Sequence, residues 1–219
     1  MPSDEMNIDE QEALANVRLD GLKKKLNADS WNYSTETLMK SWGEKAGGLR
    51  WLHSKASARW KVFSDKLSLP VILLSTITGV ANFGATNAKN PEIWMYVLGS
   101  LNILTAFFAS LKQFYNPEAK SQLHRDVGKQ FGSFYRQMCL ELGVARAERR
   151  PCPEILAWAR MEFDRLQLDA PTISGDVISQ FNKSFSTIPN KPDVVSDNFD
   201  VEIYDETRNI KPDEIQLSL

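Results

Sequence analysis

The chain has 219 residues, 25% of them charged, with a formal net charge of -2, two histidines and two cysteines. That balance argues against a polybasic nucleic-acid binder, and two cysteines are too few for a disulfide-built secreted scaffold. Mean hydropathy is that of a soluble chain, but the average merges polar flanks with two long apolar stretches.

Residues 1–30 form an acidic N-terminal segment with an expected short helix around Ile8 to Leu26 and an exposed Lys23-Lys24-Lys25 run. The segment lacks the apolar centre of a secretory signal, so the first apolar stretch is expected to act as the insertion signal. From Thr35 onward Leu38, Trp42, Leu49, Leu52, Ala56, Trp60 and Phe63 recur at helical steps along one side. Gly47-Gly48 is expected to interrupt this helix, since each glycine weakens a helix interior by about 1 kcal/mol relative to alanine.

Residues 67–88 contain no Asp, Glu, Lys or Arg, and neither do residues 93–111. Each stretch meets the requirement of roughly 20 apolar residues for crossing about 30 Å of hydrocarbon. They are joined by a turn carrying Gly84, Asn87, Lys89, Asn90 and Pro91. A transmembrane helical hairpin is the reading; two buried core helices of a soluble bundle are the competing one. Pro70 lacks an amide hydrogen and clashes with the carbonyl of Lys66, so the incoming helix is expected to kink or end there.

Arg50, Lys55, Arg59, Lys61 and Lys66 precede the first stretch against Asp65 alone, and Lys112, Lys120, Arg125 and Lys129 follow the second against Glu118 and Asp126. The positive-inside rule then predicts an integral, multi-pass protein with both termini cytosolic. On that side Cys139 and Cys152 are expected to be free thiols, and the glycosylation patterns at Asn32 and Asn182 would meet no transferase. Trp60, Trp94 and Tyr115 fall at the ends of the stretches and are the expected interface anchors. Trp42 and Trp51 lie further upstream and are expected to pack in a cytosolic helical layer.

Within the stretches, Ser75, Gly79 and Asn82, with Ser68, form a small and polar stripe, and Asn102, Ala106 and Ser110 form another. Counting about 1.5 Å per residue, Ser75 lies roughly 12 Å deep and Asn102 roughly 14 Å, so the two are expected to meet at one level. There they either clasp the hairpin or, in a homo-oligomer, line a polar path.

Asn116-Pro117-Glu118 has the chemistry of a helix start. The helix it opens is expected to run to about Arg150, with Leu123, Val127, Phe131, Phe134, Met138 and Leu142 on its apolar side. Gly128 and Gly132 give it a G-x-x-x-G spacing. Pro151 and Pro153 end it, a further amphipathic helix is expected over residues 153–168 with Ile155, Trp158, Ala159 and Phe163 inward, and a short one over 176–185. Residues 187–219 set eight acidic residues against three basic ones and are expected to be a disordered acidic tail. The fold class is therefore all-α: a two-span hairpin continued by amphipathic cytosolic helices.

Neither His53 nor His124 has a partner at triad or metal-ligand spacing, and no phosphate-binding glycine loop is present. No catalytic, cofactor or metal residue is therefore assigned, and an enzyme is not expected.

RWLHSKASARW, then LPVILLSTITGVANF, a second span and a late DAPTISGDVISQF resemble the SLATT family, the SMODS and SLOG-associating two-transmembrane effector domains, over about residues 31–186. The most specific pieces are Trp51-Leu52-His53, the LPVILLSTITG run, and Ala170-Pro171 with Ile173 and Val177-Ile178. The resemblance implies a two-span effector that oligomerises in the lipid bilayer and alters its permeability. The chain carries no nucleotide sensor, and its acidic tail lies outside the likeness. The alternative is a non-conducting scaffold of a virion or organelle membrane that recruits a cytosolic protein partner.

Overall fold

A computed structural model describes residues 8–85 and 90–196. Among these the chain is all-helical: α1 (Ile8–Ser30), α2 (Tyr33–Ala85), α3 (Pro91–Tyr115), α4 (Pro117–Leu142), α5 (Cys152–Asp169) and α6 (Gly175–Ser184), with a 3-10 turn at Arg146–Glu148. Asn87 and Lys89 of the predicted turn, and the acidic tail from residue 197, lie outside the described residues. The chain divides into two compact units, Met1–Arg50 with Gln130–Asp169 and Asn182–Leu219, and Trp51–Lys129 with Ala170–Phe181. Helices α2 and α4 each contribute residues to both.

In the first unit, Asn32 starts α2 by accepting hydrogen bonds at Oδ1 from the Thr35 amide (2.7 Å) and hydroxyl (2.8 Å). Gly47-Gly48 does not interrupt this helix, contrary to the propensity argument. The reason is packing: a Cβ on Gly43 would sit 3.1 Å from the Met138 side chain, and one on Gly47 would sit 3.3 Å from the Tyr135 ring. Glycine is present because α4 passes close, and the dispersion attraction of that close approach offsets its poor helix propensity. A Cβ on Gly132, the second glycine of the G-x-x-x-G pattern, would meet the Arg50 side chain at 3.0 Å.

Met39, Ala46, Leu49, Phe131, Met138 and Ile155 are buried here, and the aromatic pairs Trp42–Phe163 and Phe134–Trp158 stack at 6.3 and 5.7 Å. Leu38 is exposed and Met39 takes the inward place.

The fourth helix ends at Leu142 rather than near Arg150. The Arg149 guanidinium donates to the carbonyl of Leu142 at the helix end and to that of Val144 just beyond it, and the Glu141 carboxylate accepts the Arg150 amide at 2.7 Å, folding the chain back after the helix. Glu36 accepts from Arg146 (2.9 and 2.7 Å) and Arg149 (2.5 Å), and Arg149 also lies over the Trp31 ring. These partners hold the Glu36 carboxyl below the usual carboxylate range, the Arg146 hydrogen bond contributing most. Residues 187–196, assigned from the sequence to a disordered tail, instead make turns with Pro192 buried, Asn190 donating to Glu44 (2.6 Å) and Asp193 pairing with Lys45 (2.7 Å).

In the second unit α2 continues through Pro70 without ending. Helix α3 closes on Asn116, whose φ of 41° is left-handed and whose amide donates to the Lys112 carbonyl at 3.0 Å; Pro117 then opens α4. Leu52, Ala56, Leu67, Val127, Ile173 and Phe181 are buried in this unit, while Leu123, expected inward, is exposed.

Candidate functional site

Below the apolar stretches, α2 and the first turns of α4 are joined by small and polar side chains. Ser57 Oγ donates to the Ser121 carbonyl (2.8 Å) and Ser121 Oγ donates to the Ser57 carbonyl (2.9 Å), a reciprocal clasp that only short side chains permit. One turn further from the stretches, His53 and His124 are both buried, with their Nδ1 atoms 2.9 Å apart. Such a pair requires one imidazole to donate and the other to accept, so it holds with both rings neutral or with a single shared proton. Burial, and then the charge on His124, pushes the His53 pKa down to about 4; burial lowers that of His124.

On the opposite side of the clasp, Glu118 accepts from Lys112 (2.9 Å) and Ser64 (3.2 Å). Arg59 binds the Ser174 hydroxyl (3.1 Å) and the Asp176 carboxylate, tying the start of α6 to α2. Trp51 meets Phe181 edge-on at 5.5 Å. Both tryptophans expected in a helical layer, Trp42 and Trp51, therefore pack against aromatic rings.

The charge-free part of each long helix, residues 67–85 and 93–111, is about 28 Å long. In the most apolar windows of the two helices only 11% and 6% of residues are buried. The inward positions are Leu67 and Thr78 on α2 and Leu98 on α3, with Val71, Leu74, Leu101, Thr105 and Phe108 half-buried. Ser75, Gly79, Asn82 and Asn102 are all exposed, and among the described residues no hydrogen bond joins Ser75 to Asn102. The expected seam between those two is thus replaced by an apolar one. Helical phase is the reason: at about 100° per residue Leu67, Val71, Leu74 and Thr78 fall along one line, and Ser75, Gly79 and Asn82 lie roughly 50–110° to one side of it, so packing that line inward leaves them on the exposed flank.

Three other hydroxyls are satisfied within their own helix, while that of buried Thr78 is not. Thr76, Ser100 and Thr105 each donate to the carbonyl four residues back at 2.8 Å.

Of the expected interface anchors, Trp60 is half-buried under Lys120 (4.6 Å to the ring centre), Trp94 is exposed, and Tyr115 packs edge-on to Phe63 at 5.6 Å. Cys139 is exposed and Cys152 buried, both as free thiols. Among the described residues no three His, Cys, Asp or Glu side chains converge as a metal site.

No protein-family model, curated protein or solved structure matches this chain.

The histidine pair and the serine clasp are what sequence reasoning missed. Both partners are about seventy positions apart, so spacing along the chain reports nothing. The available signal was the placement of His53 between Leu49, Leu52 and Ala56, and of His124 three residues before Val127, on sides that pack inward.

Proposed function

We propose that this chain is an integral membrane protein whose two apolar helices form a transmembrane hairpin, and that copies associate through the outward stripe of Ser75, Gly79, Asn82 and Asn102 to alter membrane permeability. The observation that carries the reading is the exposure of both helices: a soluble core helix of this composition would be mostly buried, and here 11% and 6% of the most apolar windows are. The basic residues before Leu67 and after Leu111 support an orientation with both termini cytosolic. The polar stripe supports association, because side-chain amides and hydroxyls facing lipid lack partners that a neighbouring helix or a water column supplies. Two helices cannot enclose a path, so the oligomer is part of the proposal. The likeness to the two-span effectors of the SLATT family points the same way.

Reconstitution of the full chain into liposomes holding an entrapped ion indicator tests this. The expected result is flux that rises steeply with protein-to-lipid ratio and is lost in Ser75→Leu/Asn102→Leu, with the variant still inserted. An inserted wild-type chain that gives no flux at any ratio overturns the permeability reading and leaves a non-conducting scaffold.

A further inference from the structure

Where α2 and α3 emerge from their charge-free stretches, Ser68, Val71 and Ile72 of the first and Ala109, Lys112 and Gln113 of the second line, with Asn116 and Glu118, an open cleft of about 360 Å³. Its lining is layered. Val71, Ile72 and Ala109 lie on the apolar side, a turn deeper along each helix, and Ser68, Lys112, Gln113, Asn116 and Glu118 form the rim. The rim holds both charges, with Lys112 Nζ 2.9 Å from Glu118 Oε1, and Ser64 donating to that same oxygen at 3.2 Å. These two partners hold the Glu118 carboxyl below the usual carboxylate range, so it stays ionised at neutral pH. Oε2 is left to accept from outside, and the ammonium of Lys112 retains two further donors.

We infer that this cleft is a binding site for one phospholipid with a primary ammonium headgroup, an ethanolamine phospholipid of the surrounding bilayer. Its acyl chain lies on Val71, Ile72 and Ala109, its phosphate accepts from Lys112 and the Ser68 hydroxyl, and its ammonium donates to Glu118. The layering requires an amphiphile, and the boundary between the layers coincides with the last charge-free residues of both helices. A rim of one cation and one anion suits a zwitterion. A lone lysine would instead favour an anionic headgroup, and a quaternary choline has no hydrogen to donate to Glu118. The inference rests on the membrane-spanning reading proposed above.

Native mass spectrometry of the full chain, released from bilayers containing equal ethanolamine, choline and glycerol phospholipids, tests it. Wild type is expected to keep one ethanolamine phospholipid per chain at roughly fivefold preference over the glycerol lipid, the scale of one exposed charge pair. Ala109→Trp, at an outward position, fills the cleft and should remove the retained lipid. Glu118→Gln frees Lys112 and should invert the preference toward the anionic lipid. An inserted chain whose headgroup preference is the same in wild type and Glu118→Gln, or whose Ala109→Trp form retains the lipid, overturns the site alone. A wild-type chain that alkaline carbonate strips from the bilayer overturns the spanning reading and the site with it.

Discussion

His53 and His124 show how burial converts an ordinary side chain into a pH-sensitive contact. Exposed histidine titrates near 6.5, whereas the His53 pKa is pushed to about 4, mainly by burial and then by the His124 charge. The unfolded chain therefore binds more protons than the folded one between those values, and stability falls as pH drops from about 6.5 toward 4. The full effect of His53 is on the order of 3 kcal/mol. Carboxylates with lowered pKa, such as Glu36, add their loss only below about pH 4.5, so the window from 6.5 to 5 isolates the histidines. Thermal melting of the detergent-solubilised chain should show a lower midpoint at pH 5 than at 6.5. In His53→Gln/His124→Gln most of that difference should vanish, because glutamine amides can hydrogen-bond without titrating; an unchanged slope would assign it to other groups.

Helix α2 contains two kinds of glycine that its sequence does not distinguish. Gly43 and Gly47 face close neighbours on α4, and Gly79 has nothing within 4 Å of where a Cβ would stand. Gly43→Val should lower stability by about 1–3 kcal/mol through overpacking. Gly79→Ala should be neutral or raise helix stability by about 1 kcal/mol. If Gly79 lies between copies, Gly79→Leu should leave helicity by circular dichroism intact while reducing flux, and this separates a role in assembly from one in the chain's own fold. The interruption expected at Gly47-Gly48 failed for a related reason: propensity is a local quantity of about 1 kcal/mol, and packing of α2 on Tyr135 and Met138 of α4 outweighs it.

The proposed association of copies is testable by cysteine crosslinking. In a Cys139→Ser background, Ser75→Cys should form a disulfide-linked dimer on mild oxidation in membranes, while Ile77→Cys, two positions along α2, should give less. Equal crosslinking at both positions would indicate random collision rather than a defined interface.

Much of the architecture was legible along the chain because it depends on quantities that are themselves local. Absence of charge over residues 67–88 and 93–111 gives the two long apolar helices, and Asn116-Pro117-Glu118 gives the break between α3 and α4. Helical period placed Phe131, Phe134 and Met138 inward on α4, as found. Tertiary contacts decided what required knowing a distant neighbour. The end of α4 at Leu142 depends on Arg149 donating to the Leu142 carbonyl and on the Glu141 carboxylate holding the Arg150 amide. The packing of residues 187–196 depends on Glu44 and Lys45, and the meeting of His53 with His124 depends on α4 turning back along α2 after Asn116. The outward turn of Ser75 and Asn102 belongs to the same class. Composition sets which residues lie on an apolar helix, but the helix's rotation about its own axis is fixed by the stripe that packs best against its neighbour, and here Leu67, Val71, Leu74 and Thr78 pack inward.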